Sequence, residues 1–213
     1  MKRVAGALLL CLAGCGAPPP AAVTAAPPAP DALATAPDWR RLATSADRDR
    51  LRRWYEAWTQ ALAQARPIAA ADLAAQGALF TIDAALDDAV PPIGAYRCRT
   101  FKLGRKGKTG APFTAYGWFD CRITVAAGGA AQLVKLTGSQ RQVGLLYRAD
   151  PTRAAFLGTL MLGDESRAYG YGADATRDVA GWMERIGRRR WRLVMPYPAF
   201  ESTLDVLELV PAA

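Results

Sequence analysis

Not one of the 213 residues is histidine. That absence removes the usual general base, the usual partner that activates a serine, and the commonest transition-metal ligand. Cysteine is scarce as well, with four in the whole chain. If the last two pair, zinc and copper lack ligands. No metal or other cofactor is expected, and no catalysis. Three apparent motifs fail on spacing. Gly107-Lys108-Thr109 lacks the glycine that a phosphate loop needs five residues earlier, because position 102 is lysine. Ser139 in TGSQR misses the nucleophile-elbow pattern, because position 137 is threonine. DAALDDA, residues 83–89, lacks the oxygen spacing and central glycine of a calcium loop.

Carboxylates remain: Asp120, Asp164, Glu165, Asp178, Glu184, Glu201, Asp205 and Glu208. Two acids across a cleft can hydrolyse a glycosidic bond, so a carboxylate-dependent hydrolase of cell-wall glycans is the alternative to a binding role. In LDVLEL, however, Asp205 and Glu208 alternate with apolar neighbours as solvent-facing strand residues do.

Lys2 and Arg3 precede VAGALLLCL, an apolar run too short to span a bilayer. LAGC follows, ending at Cys15, and resembles the lipobox of bacterial lipoproteins. The resemblance implies that residues 1–14 are a signal peptide and that the Cys15 thiol carries lipid. One acyl chain holds marginally at about 0.8 kcal/mol per buried methylene, so a stable tether takes two or three. Gly16 in place of aspartate favours the periplasmic face of the outer membrane; a soluble periplasmic protein is the alternative. Residues 15–37, rich in alanine and proline, cannot bury a core and read as an extended stalk of about 3.1 Å per residue. Residues 38–211 are long enough for one globular domain. There Cys98 and Cys121 are expected to form a disulfide, with two free buried thiols as the alternative.

The chain carries 27 basic against 19 acidic residues, a net charge of +8. In the periplasm the polyanions are lipid head groups and cell-wall polymers, so no nucleic acid partner is expected. The densest basic run, GRRRWR, falls where two strands need a hairpin turn, and its three adjacent arginines read as a solvated tip.

The spacing predicts a helix over 45–66, capped by Thr44 or Ser45, with Asp47 and Asp49 in its first turn. Leu51, Trp54, Tyr55, Trp58 and Leu62 form one apolar stripe. Pro67 helps end the helix, and a shorter piece over 70–76 stops at Gly77. Residues 78–94 read as loop. From 95 to 210 the pattern turns to alternation with regular turn signals, giving seven or eight antiparallel strands. In FTAYGWFDCRITV the odd positions from Phe113 to Val125 share one face. The fold expected is mainly β, an up-and-down barrel of the calycin sort with the helix packed on it, since closure removes exposed edges. An α+β fold with an open curved sheet is the alternative. If Cys98 directly faces Cys121, Thr100 faces Phe119 and the hairpin centres on Thr109-Gly110.

KLTGSQR is the most unusual local chemistry. If Leu133 faces inward, so do Lys135 and Thr137, and a buried ammonium needs a partner. If Val134 and Leu136 face inward, the commoner arrangement, Lys135 lies on the surface. Lys135, Ser139, Gln140 and Arg141 are the candidate ligand-binding residues.

DWRRLATSADRDRLRRWYEAW, YRCRTFKLG, KLTGSQRQVGLLY, FLGTLMLGDES, ERIG and RWRLVMPYPAFESTLDVLELVP together resemble a family of exported bacterial proteins, domain of unknown function 4893, over Asp38 to Pro211. The resemblance implies a shared fold and an envelope setting, and assigns no activity, ligand or site residue. The expected role is a lipid-anchored periplasmic accessory or binding protein, taking a small amphipathic ligand or another envelope protein. A periplasmic protease inhibitor is a further alternative.

Overall fold

The computed structural model describes residues 37–108 and 110–212; the expected signal peptide, Cys15 and nearly all of the stalk lie outside them. Nine antiparallel strands follow three helices: β1 Gly94–Leu103, β2 Phe113–Ala115, β3 Phe119–Val125, β4 Ala131–Lys135, β5 Gln140–Arg148, β6 Ala154–Leu162, β7 Asp178–Gly187, β8 Arg190–Pro196 and β9 Leu204–Pro211. The order is β2-β1-β3-β4-β5-β6-β7-β8-β9, and β9 pairs back onto β1 from Tyr96↔Pro211 to Leu103↔Leu204. Eight strands therefore close into a barrel with β2 as an extra strand, and the open-sheet alternative is excluded.

The barrel interior is filled by Tyr96, Cys98, Cys121, Ile123, Leu133, Leu146, Phe156, Met183, Trp191, Leu193, Leu207 and Leu209. At its waist Gly144 and Gly158 face each other across β5 and β6. A Cβ on Gly158 would meet Val143 O at 2.4 Å and the Phe156 ring at 2.6 Å. The glycines thus make room for Phe156 to cross the lumen.

Cys98 and Cys121 are disulfide-bonded, with their Cα atoms 5.8 Å apart. They do not face each other directly: Cys98 opposes Phe119, and Cys121 opposes Tyr96. The expected register is corrected by two residues, the bridge being diagonal. The single face expected for residues 113–125 is corrected too. β2 pairs as Leu103↔Phe113, but β3 pairs one residue out of that phase, after a break at 116–118. One extra residue swaps the faces of a strand. Phe113 consequently packs outside against Phe80 and Phe101, while Cys121 and Ile123 point inside.

Helix α1 spans Trp39–Leu42, α2 Ser45–Arg52 and α3 Trp54–Ala75, followed by a 3-10 turn over Gly77–Phe80. Thr44 caps α2 by accepting from Asp47 N. The chain leaves helical geometry at Arg53, so the phase resets and Tyr55 is exposed rather than on the stripe. Pro67 lies inside α3, helical geometry breaks two residues later at Ala69, and a shorter piece then runs to Ala75 before Gly77, close to the division expected from the sequence. Ala57, Trp58, Ala61, Leu62, Ala65 and Leu73 pack on the outer face of β1, β8 and β9, against Phe101, Val194 and Val206. Trp39 and Leu51 pack on Trp182 and Leu157 of β7 and β6.

That cover explains β9. Its apolar residues are buried on both faces, Leu207 and Leu209 inside, Leu204 and Val206 under the helix. Asp205 and Glu208 are buried as well, which corrects their reading as solvent-facing. Glu208 pairs with Arg99 Nε at 2.5 Å and Arg190 Nε at 2.6 Å. The arginine run is accordingly split. Arg188 and Arg189 form the exposed β7–β8 turn, Arg190 folds back onto Glu208, and Arg192 is fully buried.

Candidate functional site

One end of the barrel is polar inside. Strand parity places it there: from Cys98, the next inward positions on β1 are Thr100 and Lys102, and from Leu133, the next on β4 is Lys135. Lys135 therefore points inside and is 3% exposed, against the commoner arrangement expected for this segment. β5 adds Gln140 and Gln142, β9 adds Asp205, and the 197–203 loop adds Glu201. A hollow of about 140 Å³ lies among Thr100, Lys102, Lys135, Ser139, Gln140 and Gln142, with Tyr116 and Phe119 on its walls.

The two lysines differ in their partners. Lys102 Nζ lies 2.9 Å from Glu201 Oε2 and 3.6 Å from Asp205 Oδ2, and donates to Gln140 Oε1 at 3.1 Å. Burial opposes its charge, but the two carboxylates outweigh it and hold the ammonium above its ordinary range. Asp205 is pushed up by burial, against the pull of Lys102 and of the Ser202 hydroxyl that donates to it. Lys135 Nζ donates to the backbone oxygen of Gln140 at 2.8 Å and stands 3.9 Å from the centre of the Phe119 ring. Among the described residues no carboxylate lies within ion-pair distance of it. Burial, and then the neighbouring Lys102 charge, push the Lys135 ammonium down to about 8.

Gly138 makes this packing possible. It sits in the β4–β5 reversal at φ +94°, and a Cβ there would meet the Phe119 ring at 2.9 Å and Lys135 Nζ at 3.2 Å. Two polar atoms in the hollow are buried without a partner, Thr100 Oγ1 and Gln142 Oε1. An unmade hydrogen bond of this kind costs about 1–3 kcal/mol.

The depressed Lys135 gives stability a sign with pH. Its ordinary value is 10.5 and its folded value about 8, so between them the unfolded chain binds more protons. Stability should rise as pH climbs from about 8 to about 10.5, by on the order of 3 kcal/mol from this group. Urea midpoints across that range should show the rise in the native chain and lose it in Lys135→Met. Parallel curves for the two would count against a buried ammonium.

Of the sequence-predicted residues, Lys135, Ser139 and Gln140 come together at the hollow. Arg141 does not: it donates to the backbone oxygens of Gly163 and Glu165 at 2.9 and 2.7 Å, and so ties the GDES turn to β5. Glu165 in turn pairs with Arg177 at 3.1 Å. Thr100, Lys102 and Gln142 are not among the residues the sequence singles out, and Asp205 is among its carboxylates but read as solvent-facing. Parity with the bridged Cys98 would have placed the first two inside.

A larger hollow, about 690 Å³, opens at the opposite end over Tyr96, Trp191, Ile93 and Pro211, with Arg185 and Arg188 at its rim. It is an open groove with a mostly apolar floor, and Tyr96 and Trp191 there already donate to Pro92 O and Asp88 O. The smaller hollow is the better candidate, because buried polar atoms there lack partners. Among the described residues no three His, Cys, Asp or Glu side chains gather to hold a metal. No described helix is long and apolar enough to cross a membrane.

The architecture defines a closed antiparallel β-barrel with a packed waist and a small polar pocket in one mouth. The chain belongs to the family described as Domain of unknown function (DUF4893), whose model matches residues 39–209. No curated protein and no solved structure matches it.

Proposed function

We propose that this chain is a lipid-anchored binding protein of the cell envelope, tethered through Cys15 and holding a small molecule in the polar mouth of its barrel. The observation that carries the binding role is the 140 Å³ hollow lined by buried polar side chains, two of them without partners. Polar groups buried in that way are normally satisfied, by protein, water or ligand. The LAGC segment supports the anchor and the residues after it a stalk. The mouth favours binding over glycan hydrolysis. Its two acids, Asp205 and Glu201, both converge on Lys102. A cavity of about 150 Å³ holds a molecule the size of benzene, which is far smaller than a disaccharide.

Native mass spectrometry of protein released from the envelope in mild detergent tests the reading. It should show a retained small molecule, and Gln142→Leu should weaken its retention. Palmitate label should enter the chain and disappear in Cys15→Ser. A barrel that carries nothing, and that no compound of matching size shifts in melting temperature, would overturn the binding role; an unlabelled chain would overturn the anchor.

A further inference from the structure

The charges that face the hollow are unevenly paired. Lys102 comes from β1 and Lys135 from β4, against Asp205 from β9 and Glu201 from the loop before it, while Arg141 of β5 adds a positive charge nearby without facing the hollow. Asp205 and Glu201 both lie on Lys102, and Arg141 turns outward to carbonyl oxygens. Lys135 is left without a carboxylate at ion-pair distance among the described residues, with one backbone acceptor and one aromatic face for its three donors. Beside it stand the unpartnered Thr100 hydroxyl and the unpartnered Gln142 amide oxygen. A hydroxyl rotates to donate, and an amide can present its nitrogen by turning over. The missing component is therefore an acceptor with negative charge. The volume, about 140 Å³, limits it to about six non-hydrogen atoms, as in a benzene-sized cavity. The Phe119 ring supplies an apolar wall for a short alkyl part.

We propose that the mouth of the barrel is an anion site for a short-chain carboxylate, with Lys135 as its counter-charge and Thr100 and Gln142 as its hydrogen-bond partners. The inference rests on reading this mouth as a ligand pocket, and adds the chemical class. A carboxylate between an ammonium and two polar groups forms charge-assisted hydrogen bonds, about twice as strong as neutral ones. Binding also favours the protonated Lys135, so the ligand and the proton bind together.

Calorimetric titration of the processed protein with isobutyrate and with isobutyramide separates the possibilities, since the two share shape and size and differ in charge. Isobutyrate should bind at least tenfold more tightly at pH 7. Its advantage should shrink as pH rises through about 8 to 10, with proton uptake on binding near pH 8. Lys135→Met should erase the preference, while Lys108→Met, in an exposed loop, should keep it. Equal binding of the amide, or a preference untouched by Lys135→Met, would overturn the anion assignment and leave the pocket standing. Chloride displacing isobutyrate with the same affinity would mark a site for inorganic anions and overturn the carboxylate class. If neither organic compound binds and no small molecule is retained, the pocket reading itself falls.

Discussion

Replacing Arg192 with methionine should lower the stability of the domain by about 3–5 kcal/mol. Arg192 and Glu184 are both completely buried and meet at 2.7 Å. They lie on the outer face of β7 and β8, beneath α3. Removing the guanidinium leaves Glu184 with Arg153 alone, at 2.8 Å. A second loss is added, because Arg192 also donates to the backbone oxygens of Ala78, Leu79, Thr81 and Ile82 at 2.7–3.2 Å. Those bonds hold the segment after α3, which crosses to the barrel end where Ala89 and Val90 enter the core. The two contributions can be separated. Pairing Arg192→Met with Glu184→Leu removes the stranded carboxylate but not the stranded carbonyls. It should therefore recover part of the loss and leave the 77–93 segment open to protease. Urea midpoints and limited proteolysis give both readouts. A single variant within 1 kcal/mol of the parent, a margin set well below the cost of an uncompensated buried charge, would refute the account.

Breaking the disulfide should cost nearly as much. Cys98 and Cys121 close a loop with a sequence separation of 23, for which the loss of unfolded-chain entropy corresponds to about 3.5 kcal/mol. Both sulfurs lie in the packed interior beside Tyr96 and Leu209, so a Cys98→Ala/Cys121→Ala variant also leaves small voids. Under oxidising conditions the variant should unfold at a clearly lower urea concentration than the parent. Under strong reductant the two midpoints should approach each other. Equal midpoints without reductant would show that the bridge does not hold the fold. The contribution is present only where the two thiols stay oxidised.

The arginines show where local reading stops. GRRRWR reads as a charged hairpin tip, and a two-residue turn does form at Arg188-Arg189. Nothing in the run distinguishes Arg190 and Arg192, which reach Glu208 and Glu184, from the two at the tip. Their partners lie on neighbouring strands, in a register only the closed barrel sets. β9 makes the same point. Asp205 and Glu208 alternate with apolar residues, as on a half-solvated strand. Helix α3 covers the outer face and the barrel closes over the inner one, so both acids are buried among cations.

The candidate site was legible in part for the same reason. Lys135, Ser139 and Gln140 stood out because the segment is compact and polar. Thr100, Lys102 and the inward face of Asp205 did not, because β1 and β9, distant in the chain, contribute them, and Gln142 lies just past the polar segment on the face of β5 that Gln140 shares. The face of Lys135 was open because period-2 alternation is the same whichever set points inward.

Local interactions between near neighbours in the chain were enough to determine the Thr44 cap, the helical start, the strand-rich remainder and the hairpin turns, because capping bonds, side-chain periodicity and turn dihedrals act over a few residues. Which face of each strand became the interior, where β2 and β3 fell out of phase, and which charges met were decided only when β1 closed on β9. Closure fixes one register for all eight strands together, and a one-residue shift exchanges inside for outside.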